Sequence, residues 1–205
     1  MAVQKPYRTR DLPIVPERTA IIVIDAQNGL LDDGTPEEKP YFQHRLHQVA
    51  LPNIARLIGK ARATGIEVIY TVIESLTLDG RDRSLDYKVS DFNYPKGGWD
   101  SKVLDAVLPV GDEIVLPKTS SSLFNSTIFE YLLRNLGVDA VIAVGFLTDQ
   151  CVDLAVRDGA DRGFEMICVT DACATKSEER HNWALRLNKG YCRQATTDEI
   201  LAEMV

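Results

Sequence analysis

The chain has 205 residues, of which 45% are hydrophobic and 26% are charged. This length matches about one globular domain and can bury a core without disulfide bonds, so we predict a single domain over residues 1–205 and exclude knottin-like and collagen-like folds. Thirty acidic residues outweigh 23 Lys and Arg residues, and the net charge of −7 disfavours nucleic acid and membranes as partners.

Residues 1–18 form a polar leader that is interrupted by prolines and lacks the apolar core of a signal peptide. No later segment approaches the roughly 18 uninterrupted apolar residues of a membrane span. The four cysteines form no CxxC pair, so the sequence indicates neither a disulfide framework nor a zinc site. These features fit a reducing compartment, and we predict a cytoplasmic protein.

Short apolar runs rich in β-branched residues recur along the chain and are typical of strands buried on both faces. Helical patterns lie between them, which predicts right-handed crossovers and a parallel sheet covered by helices on both faces. The fold class is therefore α/β. The five clear runs and a weaker sixth are Thr19–Asp25, Glu67–Ile73, Glu113–Pro117, Ala140–Val144, Glu165–Thr170 and Tyr191–Ala195.

The helices between these strands are predicted from apolar residues at i, i+3, i+4 and i+7 and from capping residues at their ends. The predicted boundaries are Pro52 and Gly65 for the first helix, Ser126 and Gly137 for the second, Thr148 and Gly163 for the third, and Ser177 and Thr197 for the starts of the last two.

Residues 75–110 interrupt the alternation of strands and helices with a polar, charged and turn-rich segment. It is too long to be an ordinary connection. Two interpretations stay open for it: a functional insertion over the site, or a contact between copies in an oligomer.

Ligands of an open parallel sheet bind at the carboxyl ends of the strands, so polar residues that directly follow apolar runs are candidate site residues. Asp25 follows the first run, Lys118 follows the third, and Cys151 lies in the turn after the fourth. Each has a plain structural explanation when taken alone: an Asx turn for Asp25, a solvated side chain for Lys118 and a small apolar residue for Cys151. A lysine close to Asp25 would instead indicate a site.

Cys151 is the most informative of these residues. The stretch Gly145–Val152 leads from a buried strand through a glycine turn into the helix that Thr148 is predicted to cap. Unpaired N–H groups at that helix start would favour the thiolate. The other cysteines are interpreted as inert: Cys168 in a strand, Cys173 in the turn that follows it, and Cys192.

Several other reaction classes lack their motifs. No GxSxG elbow surrounds Ser120–Ser122, and no GxGxxG or GxxxxGK[ST] motif could cradle a phosphate. A phosphatase-type nucleophile at Asp25 needs a second carboxylate where Gln27 stands. We predict no cofactor, and we interpret the three histidines as surface residues: His44, His47 and His181.

The order of Asp25, Lys118 and Cys151 along the sheet resembles the isochorismatase-like cysteine hydrolases, which include nicotinamidases, N-carbamoylsarcosine amidohydrolases and ureide hydrolases. The resemblance covers nearly the whole chain from Thr19. It implies a three-layer αβα fold with a six-stranded, mainly parallel sheet of order 3-2-1-4-5-6. The motifs that carry it are IIVIDAQNGL, VLPKTSSSLFNST and VGFLTDQCVDLAVRDGADRGFEMICVTDAC, of which the last is specific.

The resemblance also implies roles for these residues. Cys151 would be the nucleophile, Asp25 the general base, and Lys118 the cation that lowers the thiol pKa and holds Asp25. The backbone N–H groups of Leu147 and Cys151 would form the oxyanion hole, with a cis peptide bond between Phe146 and Leu147.

Departures from the family patterns narrow the predicted reaction. The second strand is not followed by the Asp-x-His and further His with which nicotinamidases bind a metal, so neither a metal nor nicotinamide is expected. Isochorismatases proper cleave a vinyl ether without needing the cysteine, so Cys151 favours cleavage of a C–N bond in a small amide, carbamoyl or ureido compound. We expect a thioester intermediate and release of ammonia. The alternatives are a vinyl-ether hydrolase in which Asp25 protonates carbon, and an inactive binding or oligomerising member of the fold.

The predicted substrate-binding residues come from the strand ends and from the 75–110 segment. A carboxylate at the second strand end could accept hydrogen bonds from an amino or ureido N–H, and the arginines could hold a carboxylate, so the site is expected to be locally positive. Solvated loop charges are the alternative for the three cations. Family members are commonly dimers or tetramers, and we predict a homodimer or homotetramer. The residues are Gln27, Glu74, Phe146, Arg81, Arg83 and Lys88.

Overall fold

The structure, a computed structural model, describes residues 9–31 and 34–205, so residues 1–8 of the predicted leader lie outside the described residues. A six-stranded sheet forms its centre. All its strand pairings are parallel, in the order β3-β2-β1-β4-β5-β6, which confirms the predicted fold class and strand order. The strands are β1 (Thr19–Ile24), β2 (Glu67–Ile73), β3 (Ile114–Lys118), β4 (Ala140–Phe146), β5 (Glu165–Ala174) and β6 (Arg193–Ala195).

Helices cover both faces of the sheet. The predicted helix from Pro52 is the second half of a longer stretch, in which α1 (Pro40–His44) continues through a π-helical segment (Arg45–Ala50) into α2 (Leu51–Thr64). It ends at Gly65 in the left-handed conformation, as predicted. The other helices are α3 (Leu85–Val89), α4 (Leu123–Ser126), α5 (Phe129–Leu136), α6 (Asp153–Asp161), α7 (Glu178–Asn188) and α8 (Thr197–Glu203).

The central strand β1 is buried along its whole length, and its side chains alternate between two cores. Ile21 and Val23 pack with α2 and α8, whereas Ile22 and Ile24 pack with α4, α5 and α6. Each fully buried isoleucine stabilises the fold by about 1.5–3 kcal/mol relative to exposure. Among the described residues, no helix is long and apolar enough to cross a bilayer.

Strand β5 extends beyond its predicted end, and Cys173 therefore lies in the strand instead of a turn. Ala143 pairs with Cys168 and Gly145 pairs with Cys173, so residues 169–172 bulge opposite one residue of β4. Asp171 in this bulge interrupts the apolar pattern, which explains why the sequence suggests an earlier end.

Two of the predicted caps are wrong. Ser126 is the last residue of α4, and its hydroxyl donates to the carbonyl of Ser122 at 3.0 Å. Thr148 is fully buried and makes no cap bond; its hydroxyl contacts a histidine instead. By contrast, Ser177 caps α7 as predicted, and α8 begins at Thr197, directly after its capping residue.

The segment of residues 75–110 packs over the carboxyl edge of its own sheet. The N–H of Ser84 donates to the carbonyl of Thr119 at 2.9 Å, just beyond β3. On the other side, Asn28 N–H donates to the Lys102 carbonyl at 2.8 Å, just beyond β1. Helix α3, which Ser84 caps, is thereby held above the strand ends where the candidate residues lie.

Candidate active site

Asp25, Lys118 and Cys151 meet at the carboxyl edge of the sheet, as their order along the chain predicted. The Nζ atom of Lys118 lies 3.0 Å from Oδ2 of Asp25 and 3.4 Å from Sγ of Cys151. The ammonium is completely buried, and the Asp25 side chain is 4% exposed. Asp25 follows β1, Lys118 ends β3, and Cys151 comes from the turn after β4.

The backbone at Gly145 and Asp25 allows this meeting. Gly145 has a φ of 120°, and a Cβ there would collide with the carbonyl oxygen of Ile24, so only glycine lets β4 approach the end of β1 in this way. Asp25 itself has a φ of 53°. Its Oδ1 accepts a hydrogen bond from Thr71 Oγ1 at 2.9 Å, which leaves Oδ2 directed at the lysine.

The charges of the cluster favour a resting thiol. Burial would lower the pKa of Lys118, but the negative charge of Asp25 opposes it most strongly, and the pKa is held above its ordinary value. Burial raises the pKa of Cys151 to about 12; Lys118 opposes this and Asp25 reinforces it. Lys118 thus acts in the predicted direction, but the expected net bias towards a thiolate is wrong. The role of Asp25 as acceptor of the thiol proton stays a prediction.

The turn Thr148–Val152, named here the nucleophile turn after the predicted role of Cys151, follows a cis peptide bond between Phe146 and Leu147, which the family resemblance implied. The carbonyl of Leu147 accepts hydrogen bonds from the N–H groups of Gln150 at 3.1 Å and Val152 at 3.2 Å. This turn brings the backbone around Cys151 to the carboxyl edge of the sheet. The oxyanion role of the Leu147 and Cys151 N–H groups stays a prediction.

A cavity of about 820 Å³ opens above the cluster, with Asp25 and Cys151 among its lining residues. One wall consists of three aromatic residues from the 75–110 segment: Tyr87, Phe92 and Tyr94. Their rings form a row of edge-to-face contacts with centroid separations of 5.0 Å and 4.8 Å. The polar composition of that segment concealed this wall; its only signal in the sequence is the aromatic spacing in DYKVSDFNY.

The charged lining of the cavity is acidic. Besides Asp25, four aspartates line it, and Lys176 is the one basic lining residue among the residues that the structure describes. This lining does not support the expectation of a locally positive site, although Asp149 is paired with Arg180 and Asp153 with Arg157. The four aspartates are Asp86, Asp100, Asp149 and Asp153.

The three predicted basic ligands have other surroundings. Arg81 pairs with Asp79 at 2.9 Å and is largely exposed. Arg83 donates to the carbonyls of Gly80 and Phe92 at 3.0 Å and 2.9 Å. Lys88 is exposed, and none of the three lines the cavity. Arg81 and Arg83 bind carboxylate and carbonyl groups of their own loop, and the sequence alone does not reveal these partners.

The remaining predicted ligands divide into two groups. Phe146 and Gln27 line the cavity, but the Gln27 amide is occupied by backbone groups, since Nε2 donates to the carbonyls of Ile73 and Asp100 at 3.0 Å each. Glu74 lies outside the lining and accepts from the N–H of Gly97 at 2.7 Å. The substrate contacts of all six predicted ligands stay predictions.

His181 departs from its expected surface position, because it is 3% exposed and lies behind the nucleophile turn. His44 and His47 are exposed, as predicted. Within residues 9–31 and 34–205, no three His, Cys, Asp or Glu side chains are arranged to hold a metal ion. The three other cysteines are buried thiols outside the cavity lining.

Comparison with known proteins connects this site to one family. The model of the isochorismatase domain matches residues 19–199. The ureidoacrylate amidohydrolase RutB of Enterobacter sp. (strain 638) is 31% identical over 170 residues, which cover 75% of this chain and 74% of that protein. The match to the enzyme of the same name from Acinetobacter baylyi (strain ATCC 33305 / BD413 / ADP1) is 28% identical over 182 residues, 79% of this chain and 73% of the relative.

Solved structures agree with the sequence matches. A cysteine hydrolase from Pseudomonas syringae pv. phaseolicola 1448A superposes with a TM-score of 0.83 at 25% identity, covering 98% of each chain. The N-carbamoylsarcosine amidase from Thermoplasma acidophilum superposes with a TM-score of 0.72 at 25% identity, covering 89% of this chain and 98% of that one.

Proposed function

Since the chain belongs to the isochorismatase family, we propose that it is a cysteine amidohydrolase that cleaves a C–N bond in a small amide, carbamoyl or ureido compound. The observation that supports this most is the Cys151 thiol, held 3.4 Å from the buried Lys118 ammonium at the base of a cavity of about 820 Å³. Vinyl-ether hydrolysis by protonation of carbon would require only Asp25 as the acid, and it would leave the contact between Lys118 and the Cys151 sulfur without a role.

In the first step, Sγ of Cys151 attacks the substrate carbonyl carbon while Oδ2 of Asp25 accepts the thiol proton. The S–C bond forms, and the C=O π electrons move to oxygen. The N–H groups of Leu147 and Cys151 donate hydrogen bonds to the resulting oxyanion. Lys118 keeps the buried site from accumulating negative charge, because its ammonium faces both the carboxylate and the sulfur.

In the second step, the C–N bond breaks and the proton held by Asp25 passes to the departing nitrogen, which leaves as ammonia. The product on the enzyme is a thioester at Cys151. Water then attacks the thioester carbonyl and gives a proton to Asp25, the C–S bond breaks, and the sulfur recovers that proton. A carboxylic or carbamic acid leaves, and the resting thiol is restored.

The cavity lining supports a neutral or cationic substrate. Asp86 and Asp100 contribute negative charge to the lining, and the described arginines lie outside it. The aromatic residues Tyr87, Phe92 and Tyr94 line one wall, where they can contact an apolar or ammonium group of a substrate. The relatives are named for ureidoacrylate, which is a carboxylate. Because aspartates line the cavity of this chain, we propose that its substrate is instead a ureide or amide with an uncharged or positively charged tail.

Ammonia release from a panel of small amides and ureides tests the reaction. We expect release by the wild type, loss in Cys151→Ala, and an acyl adduct on wild-type protein detected by intact mass. Cys192→Ser is the matched control, because it changes a buried thiol that lies outside the cavity lining. Cys151→Ala protein that releases ammonia at the wild-type rate, or hydrolyses a vinyl ether without any adduct, would overturn the proposal.

We further propose a single-domain homodimer or homotetramer in the cytoplasm. Three apolar side chains of the 75–110 segment support association, because Leu78, Leu85 and Val89 are 87%, 77% and 79% exposed. Four free buried thiols support a reducing compartment. Light scattering coupled to size-exclusion chromatography measures the oligomeric state; a monomer at micromolar concentration would contradict this part.

A further inference from the structure

A buried polar network lies directly behind the nucleophile turn. His181 on α7 is 3% exposed; its Nδ1 lies 2.9 Å from Oγ1 of Thr148, and its Nε2 lies 2.9 Å from Nη2 of Arg45. Thr148 is fully buried and is the first residue of the nucleophile turn. None of the three side chains lines the cavity, so the network does not serve substrate contact directly.

The partners of His181 determine which nitrogen carries its proton. A guanidinium donates hydrogen bonds and accepts none, so Nε2 must accept from Arg45. The ring is therefore neutral with its proton on Nδ1, and Nδ1–H donates to Oγ1 of Thr148. Burial, reinforced by the charge of Arg45 and opposed by the Thr170 carbonyl and the charge of Asp149, lowers the pKa of His181 to about 4, and this direction agrees with the hydrogen-bond assignment.

Arg45 is itself held in place by the sheet. Its Nη2 donates to the carbonyl of Thr170 at 2.8 Å, and its Nε donates to the carbonyl of Cys173 at 3.2 Å. Thr170 lies in the bulge of β5, and Cys173 is the paired residue that directly follows it. A continuous chain of hydrogen bonds thus runs from the bulge of β5 through Arg45 and His181 to Thr148, three residues before Cys151.

The catalytic cluster alone does not hold the backbone of this turn. Lys118 contacts Cys151 only through the sulfur, at 3.4 Å, and Thr71 positions Asp25. Both proposed oxyanion donors belong to the backbone at residues 147–151, and a shift of about 1 Å in such a group can cost about 100-fold in rate. The network contacts the turn through the Thr148 hydroxyl, which lies outside the cavity lining.

We propose that Arg45 and His181 are positioning residues that fix the nucleophile turn through the Thr148 hydroxyl and so align the Cys151 thiol and the oxyanion donors. This inference rests on the proposed role of Cys151 as nucleophile. The inference predicts that loss of the hydrogen bond from His181 to Thr148 lowers kcat and changes KM little.

Two substitutions separate the two bonds of His181. In His181→Asn, the amide N–H can stand where Nδ1–H stands and donate to Thr148. In His181→Gln, the amide oxygen can stand where Nε2 stands and accept from Arg45, but the donor to Thr148 is lost. We expect His181→Asn to keep most of kcat, and His181→Gln to lose about 10- to 100-fold in kcat with little change in KM.

Thr148 provides a second pair of variants, so the test does not depend on the histidine alone. Thr148→Val removes the acceptor with little change in shape, whereas Thr148→Ser keeps it. Thr148→Val is expected to match His181→Gln, and the double variant to lose no more than either single variant, because both remove one bond. Additive losses in the double variant would contradict the proposal.

Alkylation by iodoacetamide, mapped to single cysteines by peptide mass, gives a readout that needs no substrate. A loosened turn exposes the Cys151 thiol, which is 5% exposed, so His181→Gln should raise its alkylation rate several-fold while Cys168 and Cys173 stay protected. Asn188→Ala is the structural control, since it disrupts a buried network around Cys192 and Gln194. It should lower the melting temperature and leave kcat unchanged.

The outcomes separate this inference from the proposed function. If His181→Gln lowers only the melting temperature and changes neither kcat nor Cys151 alkylation, His181 is merely structural and the inference is overturned. If Cys151→Ala keeps full activity, the proposed function fails. The alkylation result still reports whether Thr148 holds the turn.

Discussion

Thr71 and Asp25 are joined by a buried hydrogen bond in which Oγ1 of Thr71 donates to Oδ1 of Asp25 at 2.9 Å. The bond satisfies one carboxylate oxygen and leaves Oδ2 to face Nζ of Lys118 at 3.0 Å. A threonine on β2 therefore sets the orientation of the proposed base at the end of β1. Nothing in the sequence marks Thr71, because it reads as one β-branched residue in a strand.

Removal of this hydroxyl should impair proton transfer more than folding. In Thr71→Val, the carboxylate of Asp25 is free to rotate, and we expect kcat to fall about tenfold or more, which is typical when a base loses alignment. Stability should fall by about 1 kcal/mol for one lost hydrogen bond. Thr71→Ser keeps the donor and should retain activity in the ammonia assay; equal loss in the two variants would point to packing as the cause.

The ion pair of Asp25 and Lys118 should show strong coupling in stability. Lys118→Met leaves a buried carboxylate without its partner and is expected to cost about 3–5 kcal/mol in the free energy of unfolding. Adding Asp25→Asn removes the uncompensated charge and should restore part of that loss, although the double variant stays inactive. Urea unfolding of the four proteins measures the coupling, and additive effects would mean that the pair is not formed in solution.

The resting thiol should be less reactive than an ordinary cysteine. Because the pKa of Cys151 is raised to about 12, its alkylation rate should still be rising at pH 10, where an unperturbed thiol has reached its plateau. Asp25→Asn removes a negative charge beside the sulfur and should speed alkylation at pH 9 while slowing hydrolysis. A plateau below pH 8 in the wild type would show a thiolate and contradict this arrangement.

His181 should make stability depend on pH in a defined window. Its ordinary pKa of 6.5 applies to the unfolded chain, and its pKa in the folded protein is about 4, so the unfolded state binds more protons between these values. Stability from the neutral ring is complete above pH 6.5 and is lost as pH falls from 6.5 to about 4. Melting temperatures of the wild type and His181→Asn should therefore converge over this range; a constant difference would exclude the effect.

Sequence patterns predicted the strands and helices because these depend on local spacing, and they marked the residues of the Asp25, Lys118 and Cys151 cluster because each follows an apolar run. Lys118 and Cys151 each stand at a strand end, and the parallel order brings strand ends to one edge. The patterns failed where a side chain binds a backbone carbonyl of an irregular loop or a residue far away in sequence. Arg83 binds carbonyls of its own loop, and His181 meets Arg45, which lies 136 residues away in sequence. Neither partnership leaves a periodic signal.

The charge preference of the cavity is testable with matched ureides that differ only in an amine, a neutral or a carboxylate tail. We expect wild-type kcat/KM to be highest for the amine and lowest for the carboxylate, because Asp86 and Asp100 line the cavity. Asp86→Asn should lower the ratio of kcat/KM for the amine to kcat/KM for the carboxylate severalfold. It should also make this ratio less dependent on salt concentration. Lys88→Gln is the control, since Lys88 lies on the same helix outside the lining. Preference of the wild type for the carboxylate, with the ratio unchanged in Asp86→Asn, would show that the aspartates do not select substrate.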